Sequence, residues 1–259
     1  YVSMNSANPP STRDFLYPLN IYAWVLERFE QECKYLHFGI FNKNNETIGE
    51  AQRRSTDLLL INLPPPPAKI LEVGTGTGTL LVQLRGLGYQ VVGINPDKQQ
   101  VDYANSQHAS DLEIQVCSFE SYETSMKFDV IIFQEVSQYV ELERLFSKSR
   151  QLLNKSGILL IVDEMKSTDS ASHLHNIGGY KKLGDEYNYE QVLNLDLTDR
   201  AAPTLRYLSH NIEKHALLIS AELGLTQNDV LQLVNDIHAS EEKYRQREYL
   251  YCMLGFKAR

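Results

Sequence analysis

Residues 68–84, AKILEVGTGTGTLLVQL, decide the fold class of this 259-residue chain. A short apolar run reaches a carboxylate, Glu72, and glycine then stands at every second position, at Gly74, Gly76 and Gly78. A buried strand that passes through a glycine-rich turn into a helix is typical of the first strand-to-helix connection in a doubly wound sheet, where ligands bind outside the carboxyl ends of the strands. Because glycine permits positive φ and has no Cβ, the turn predicts a ligand that approaches the main chain closely.

Short β-branched runs alternate with helical patterns after this turn. Strands are predicted at KILEV, QVVGI, LEIQVCSF, FDVIIFQEV and GILLIVDE. Helices are predicted between them over residues 79–87, 97–107 and 142–153. Such alternation predicts an α/β fold, with a doubly wound, mostly parallel sheet and helices on both of its faces.

Further elements flank this region. Helical spacing of apolar residues predicts helices over residues 20–33 and 50–60 before it, and over about 203–223 and 228–244 after it. Residues 167–185 are polar and typical of turns. QVLNLDLT is predicted as a further strand and EYLYCMLGF as the last one.

Composition narrows the functional classes. A hydrophobic content of 42% allows a sizeable core, and a net charge of −8 argues against a nucleic-acid partner. No apolar run is long enough to cross a bilayer, and the first residues lack the regions of a secretory signal, so no membrane partner is expected. Cys33, Cys117 and Cys252 are widely spaced and odd in number, which favours reduced thiols in or near the core of a cytoplasmic protein.

Several familiar ligand motifs do not fit. The dinucleotide fingerprint needs Gly-x-Gly-x-x-Gly, and the phosphate loop needs Gly-Lys-Ser/Thr; the glycine turn has neither. His173 and His175 stand two apart, but no cysteine or clear acidic ligand accompanies them. A mobile surface loop is therefore favoured over a metal pair, and no metal site is predicted.

The glycine turn instead resembles the first motif of the class I S-adenosylmethionine-dependent methyltransferases. Four later segments resemble further motifs of that family in the right order: VVGINPDKQQVDYAN, VCSFESY, FDVIIFQEVSQYV and LLNKSGILLIVDE. Upstream, LHFGIFNKNNETIGEAQRRSTDLLL resembles the lead-in of small-molecule members such as the tocopherol, sarcosine and plant-sterol types. The resemblance covers roughly residues 36–164 and implies a Rossmann-like fold with helical lid segments.

The resemblance also implies a set of cofactor contacts for S-adenosyl-L-methionine. Glu72 would position the amino end of the methionine moiety, and Gln134 would face the same moiety. Asn95 takes the place of the usual ribose-binding Asp or Glu, and an amide supplies no charge-assisted bond there. Ser118 and Phe119 take the place of the adenine-edge contacts. The turn itself would lie beside the cofactor through Gly74, Thr75, Gly76, Thr77 and Gly78.

Catalysis of methyl transfer can rest largely on positioning, and a general base is needed only when the acceptor keeps a proton. The candidates are Glu135, His37 and Tyr139. Each has a simpler interpretation: a solvated loop side chain for Glu135, a structural hydrogen bond for His37 and packing for Tyr139. Of the adjacent carboxylates Asp163 and Glu164, at most one is expected to face the site, because side chains alternate along a strand.

The chain is thus predicted to be a methyltransferase that acts on a small-molecule acceptor at an undetermined O, N or C atom, and a homo-oligomer is allowed. An RNA methyltransferase and a non-catalytic cofactor-binding or scaffold protein remain as alternatives.

The predicted organisation is a helical lid over residues 1–60, a cofactor-binding core over 61–165, an insert with cap helices and one strand over 166–245, and a final strand over 246–259. His210 and His215 are expected on a cap helix, and their spacing of five weakens a joint role. Several tyrosines, including Tyr22 and Tyr207, are expected in the lid.

Overall fold

The computed structural model describes residues 9–43, 46–108, 112–168 and 171–259. Within these residues the strands form one seven-stranded sheet in the order β3-β2-β1-β4-β5-β7-β6. Strands β1 to β5 run parallel, and β7 is antiparallel to both β5 and β6. The strands are β1 Lys69–Val73, β2 Gln90–Asn95, β3 Ile114–Val116, β4 Phe128–Gln134, β5 Leu153–Lys166, β6 Tyr189–Asp196 and β7 Tyr249–Ala258. The prediction of a doubly wound, mostly parallel sheet is confirmed.

Helices cover the sheet, and their starts follow local capping chemistry. Thr47 and Glu50 form a reciprocal capping box at the start of α2 (Ile48–Leu60), and the Asp97 carboxylate accepts from the Gln99 and Gln100 amides at the start of α4 (Lys98–Gln107). Two short 3-10 helices lie at Thr12–Asp14 and Ser137–Tyr139. The α-helices are α1 Leu19–Glu30, α2 Ile48–Leu60, α3 Thr79–Gly86, α4 Lys98–Gln107, α5 Leu142–Leu152, α6 Ile177–Glu186, α7 Thr198–Ala201, α8 Pro203–Lys214, α9 Ala216–Leu223 and α10 Gln227–Arg245.

The core has two main layers, one on each face of the sheet. Alternate residues of β1 point to opposite faces, so Ile70 joins one apolar cluster and Leu71 the other. The first cluster also takes in α1, α8 and α10, through residues such as Trp24, Leu208 and Leu233. The helices predicted as lid and cap are thus part of one core with the sheet, while the predicted domain boundaries remain a prediction.

Helix α6 corrects one expectation. The sequence predicts polar turns over residues 167–185, but Ile177–Glu186 is helical. The Asn176 side chain caps its first turn by accepting from the Gly178 amide, and Tyr180 is fully buried against Phe146. Two adjacent glycines and several polar residues conceal this helix in the sequence, because its stability comes from a distant packing partner.

A second correction concerns the helix expected over residues 203–223. It is divided into α8 and α9 at His215, whose φ of −115° is not helical. The His215 ring lies 5.1 Å from the Phe29 ring and 6.2 Å from the Trp24 ring, so contacts with α1 accompany the break.

Several element boundaries also differ from the prediction, among them those of β3, α5 and β5. β3 is only Ile114–Val116, because a turn starts at Ser118, whose carbonyl accepts from the Tyr122 amide at 3.0 Å. α5 ends at Leu152 rather than 153, and β5 begins at Leu153 rather than 157, since Leu153 already pairs with Phe128 across a shifted register.

Two further observations concern the described residues alone. Cys33, Cys117 and Cys252 are free thiols, and Cys33 and Cys252 are buried, which agrees with the prediction of reduced thiols in or near the core. In the described part of the chain, none of the helices combines enough length with enough apolar character to cross a membrane.

Candidate active site

The turn from β1 to α3 adopts the backbone that its glycines allow. Gly74, Gly76 and Gly78 have φ of +76°, +51° and +76°, as the sequence predicts. A Cβ at Gly74 would lie 2.4 Å from Val136 Cγ1, so no side chain fits there. A Cβ at Gly76 would meet only Leu36 Cδ1, at 3.8 Å, because this glycine borders open space.

A cavity of about 290 Å³ lies above this turn, at the point where the strand order reverses between β1 and β4. Most of the residues predicted to bind a cofactor or to catalyse line it. They are Glu72, Gly74, Thr75, Gly76, Thr77, Asn95, Gln134, His37, Glu135 and Tyr139. We call this the first cavity.

Three buried polar atoms of the first cavity have no hydrogen-bond partner among the described residues. They are Glu72 Oε2, Thr75 Oγ1 and Gln134 Nε2. Burial raises the pKa of Glu72 to about 8. Buried polar groups without partners are costly, so this set indicates a polar ligand with both donors and acceptors.

Asn95 is already engaged by the protein. Its Oδ1 accepts from the Asp97 amide at 2.9 Å, and its Nδ2 donates to Gln100 Oε1 at 3.0 Å. Asp97 and Gln100 themselves line the first cavity. Sequence reasoning missed them because it looked only at the last residue of the strand, although the acid two positions later in INPD was a visible signal.

Three predicted residues lie outside the lining of the first cavity. Phe119 is 2% exposed and packs edge-on against Phe133 with ring centres 4.9 Å apart, while Ser118 Oγ lies 3.2 Å from Ser121 Oγ. Gly78 packs against α4, where a Cβ would lie 3.0 Å from Ala104 Cβ. The adenine-edge roles of Ser118 and Phe119 stay a prediction.

A second cavity of about 310 Å³ adjoins the first. Five residues line both: Leu19, Leu36, His37, Glu135 and Tyr139. The rest of its wall comes mainly from α1, α8 and α10 and is largely apolar. That part includes Tyr22, Leu26, Phe38, Leu205, Leu208, Leu233 and Ile237.

Glu135 stands on the wall between the two cavities. Its Oε1 accepts from the Tyr251 hydroxyl at 2.6 Å and from the Phe38 amide at 2.5 Å. The Phe38 ring stacks on the Tyr251 ring with centres 5.4 Å apart. Burial raises the pKa of Glu135 well above its usual value, although both donors oppose that rise. Glu135 is therefore a half-buried, bonded group rather than a solvated loop side chain.

His37 and Tyr139 differ in their contacts. His37 Nδ1 lies 3.0 Å from the Phe38 carbonyl and Nε2 lies 3.2 Å from Thr56 Oγ1, so both ring nitrogens have partners. Burial lowers the pKa of His37 to about 4, which leaves the ring neutral at physiological pH. Tyr139 is 75% exposed at the rim of both cavities, so the interpretation that it serves packing is wrong.

Of the two adjacent carboxylates at the end of β5, one faces the site, as predicted. Asp163 is fully buried and accepts from Ser137 N at 2.7 Å and Ser137 Oγ at 2.6 Å. Glu164 lines the second cavity and accepts from the Tyr244 hydroxyl at 2.8 Å. Burial raises the pKa of Glu164 to about 7.

The remaining histidines do not converge on one site. His173 Nε2 lies 3.1 Å from Gln138 Oε1, while His175 Nε2 lies 2.9 Å from the Val140 carbonyl. His210 is exposed and lines neither cavity. Across the described ranges, no group of three or more histidine, cysteine, aspartate or glutamate side chains is arranged to hold a metal ion.

Comparison of the sequence with known proteins identifies the family of this chain. Residues 71–161 match a family model described as a methyltransferase domain. An uncharacterized methyltransferase of Alkaliphilus oremlandii (strain OhILAs) is 31% identical over 183 residues, which cover 66% of this chain and 84% of that protein. The chain belongs to the class I S-adenosylmethionine-dependent methyltransferase family.

Other relatives show how far the likeness extends. A ubiquinone biosynthesis O-methyltransferase of Pelagibacter ubique (strain HTCC1062) is 31% identical over 48% of this chain and 51% of that protein, so the chain spans about half the length of this curated relative. The solved structure of a geranyl diphosphate C-methyltransferase from Streptomyces coelicolor A3(2) has a TM-score of 0.65 at 16% identity and covers 86% of this chain and 91% of that one. That structure holds Mg²⁺, geranyl diphosphate and S-adenosyl-L-homocysteine.

The first cavity of this methyltransferase-family chain fits the family's cofactor, S-adenosylmethionine. The amino-acid end of S-adenosylmethionine carries an ammonium and a carboxylate. The ammonium matches the unpartnered acceptor Glu72 Oε2, and the carboxylate matches the unpartnered donor Gln134 Nε2. The open space beside Gly76 leaves room for a ligand against the main chain.

Proposed function

We propose that this chain transfers a methyl group from S-adenosylmethionine to a small-molecule acceptor. The observation that carries the proposal is that two cavities of similar size share one wall, made by His37, Glu135 and Tyr139 among others. The first cavity fits the cofactor, and the second is large enough and apolar enough for a small organic molecule.

The residues of the first cavity would bind and orient the cofactor. Glu72 would accept from the ammonium, Gln134 would donate to the carboxylate, and Asn95 with Asp97 would face the ribose end. Bound S-adenosylmethionine supplies an electrophilic methyl group on a sulfonium. The apolar wall from Leu36 and Leu19 would exclude water from the junction of the two cavities.

Glu135 would act as the proton acceptor when the acceptor atom carries a proton. Both described donors to Glu135 bond Oε1, which leaves Oε2 to take that proton. Because burial raises the pKa of Glu135, its ionised form is a stronger base than an ordinary carboxylate and suits this task. His37 would hold the shared wall of the two cavities in place through its hydrogen bonds with the Phe38 carbonyl and Thr56 Oγ1. It would not carry a proton, since its pKa is low.

The alternatives have less support. No lysine or arginine is among the described residues that line the two cavities, so no basic channel favours RNA. The unpartnered buried atoms of the first cavity favour retained cofactor binding over a scaffold role. A cytoplasmic location and a homo-oligomer stay predictions.

The proposal is tested by binding and then by transfer. Calorimetry with S-adenosyl-L-homocysteine should give micromolar binding, and Gln134→Leu should weaken it about tenfold or more, because a charge-assisted bond is worth ~1.5–3 kcal/mol. Gln115→Leu is the matched control, since Gln115 is exposed on β3 and outside the first cavity.

Transfer is followed with methyl-labelled S-adenosylmethionine against a panel of small alcohols, phenols and amines, with total RNA alongside. Label in a panel compound supports the proposal. Label in RNA alone would favour the RNA alternative, and tight cofactor binding with no transfer would favour the non-catalytic one. Failure of the folded protein to bind the cofactor product would overturn the proposal itself.

A further inference from the structure

The second cavity carries two carboxylates, Glu164 and Asp236, that the proposed function does not use. Three carboxylates line it, from Glu135, Glu164 and Asp236, and no described lining residue is a lysine or arginine. Its two histidines are His37, which is neutral at physiological pH, and His173, which is exposed at the edge. An anionic acceptor would meet like charge here without any counter-charge.

The carboxylates are not spread evenly. Glu135 lines both cavities and marks the end at which methyl transfer would occur, whereas Glu164 and Asp236 line the second cavity alone. Burial raises the pKa of the Tyr22 phenol, and the carboxylates of Glu164 and Asp236 raise it further. Both carboxylates therefore act on Tyr22, and none of these three residues lines the first cavity.

Aromatic surface accompanies these charges. Tyr22, Phe38 and Tyr139 all line the second cavity. The Glu164 carboxylate accepts from Tyr244 through Oε1, which leaves its other oxygen for a ligand. Carboxylates combined with aromatic faces and no cation are the chemistry that recognises a positively charged nitrogen.

We propose that the acceptor is an apolar molecule with a positively charged nitrogen, which lies between Glu164, Asp236 and Tyr22 while the methyl-accepting atom lies at Glu135. The inference rests on the proposed function, because it assigns the acceptor end of the same site. The charged nitrogen serves recognition, and a different atom of the same molecule, placed at Glu135 where the two cavities meet, takes the methyl group.

Binding of such a cation depends on pH in a defined direction. The pKa of Glu164 is about 7, mainly because of burial, and a bound cation favours the ionised carboxylate. Affinity should therefore rise as pH increases through about 7. The titratable groups that face Glu164 are Asp163, Tyr244, Tyr22, Tyr139, Glu135, Tyr251, Asp236 and His173.

The test compares three ten-carbon probes below their micelle-forming concentrations, with S-adenosyl-L-homocysteine present. The probes are decyltrimethylammonium, decanol and decyl sulfate. The first is permanently cationic and cannot accept a methyl group, so it reports recognition alone. It should bind at least about tenfold more tightly than decanol, and decyl sulfate should bind most weakly.

Two variants locate the effect. Glu164→Gln keeps an oxygen that can accept from the Tyr244 hydroxyl but removes the negative charge. It should therefore lower the affinity for decyltrimethylammonium about fivefold or more. It should also reduce the increase of that affinity between about pH 6 and 8. Decanol binding should stay the same. Glu190→Gln, at an exposed position of the edge strand β6, is the matched control and should change neither.

Equal binding of the cation and decanol, or an unchanged cation affinity in Glu164→Gln, would overturn the inference. Cofactor-product binding is measured in the same samples. If that product binds normally while cation selectivity is missing, the inference fails and the proposed function stands. If the product does not bind to folded protein, the proposed function fails first.

Discussion

Glu135 joins three parts of the molecule through one carboxylate oxygen. It follows β4 directly with φ of +58°, accepts from Tyr251 on β7, and accepts from the Phe38 amide in the segment between α1 and α2. A non-glycine residue in the left-handed region is uncommon and costs free energy. These two donors hold the side chain at the junction of the two cavities despite that cost.

We expect Glu135→Gln to lower turnover about 100-fold or more, because the amide can accept the same two hydrogen bonds but cannot take a proton. The affinity for S-adenosyl-L-homocysteine should change little. Steady-state rates with a panel acceptor and calorimetry measure the two effects, and Glu190→Gln provides the control. Unchanged turnover would remove Glu135 from the chemistry.

Glu72 gives a second prediction for a single residue. Its pKa of about 8 means that most of the free protein holds a neutral carboxyl at pH 7. A bound ammonium favours the ionised form, so affinity for S-adenosyl-L-homocysteine should rise between pH 6.5 and 8. Glu72→Gln should bind more weakly, by about tenfold, and with a smaller pH dependence.

Calorimetry of both proteins across that pH range measures the difference. Glu135, which also borders the first cavity, is present in both proteins, so the comparison isolates Glu72. Identical pH profiles would show that Glu72 does not meet the ammonium.

At this scale the sequence predicts residues that belong to a local pattern. Glu72 and the glycines could be found because a strand end and a turn are contiguous in the chain. The Glu164–Tyr244 bond joins residues 80 positions apart, and no local pattern reports it. Asp97 was missed for a different reason, since it lies two residues beyond the strand end that the family resemblance indicates.

At the scale of elements, the glycines of the turn have different roles: Gly74 is needed for folding and Gly76 for ligand binding. Both Gly74 and Gly76 line the first cavity, but a Cβ at Gly74 would collide with Val136, whereas a Cβ at Gly76 would meet open space. Gly76→Val should therefore abolish cofactor-product binding by filling the cavity. The positive φ should cost roughly 1–2 kcal/mol of stability, or several degrees in Tm.

Calorimetry and thermal unfolding test this together. Gly86→Ala is the matched control, because Gly86 ends α3 with nothing within 4 Å of an added Cβ. It should retain binding and unfold at the same temperature or slightly higher. Normal binding by Gly76→Val would place the ligand elsewhere.

The predicted elements were correct where the pattern repeats over a whole helix or strand. α6 was missed because Gly178 and Gly179 weaken the helical signal and burial of Tyr180 supplies the stability. The break at His215 was missed because it accompanies contacts with Trp24 and Phe29, nearly 200 residues away in sequence. Tertiary contacts of this kind override local propensity.

At the scale of the whole molecule, four buried or half-buried carboxyls with raised pKa values determine how stability changes with pH. They are Glu72 at about 8, Glu164 at about 7, Asp163 at about 6, and Glu135 well above its usual value. Between the pKa of each carboxyl in the unfolded chain and its raised pKa in the folded protein, the folded state binds more protons than the unfolded state. The stability that these groups contribute is complete below the unfolded pKa values, and it falls as pH rises through the folded ones.

We therefore expect the Tm of the free protein to fall between pH 5.5 and 8.5. Saturating S-adenosyl-L-homocysteine should reduce that fall, because it supplies the missing partner of ionised Glu72. Differential scanning calorimetry at a series of pH values gives both curves. A Tm that rises over this range would contradict the raised pKa values of these carboxyls.

Much of the wall of the second cavity comes from helices that do not line the first cavity. Leu205, Leu208, Leu233 and Ile237 belong to α8 and α10 and do not border the first cavity, whose walls come mostly from the turns that follow β1, β2 and β4 and from the segment before α2. Gene libraries confined to these four codons could therefore diversify what the enzyme modifies while its methyl donor stays constant. Substrate choice would then be an evolvable module, carried on two helices.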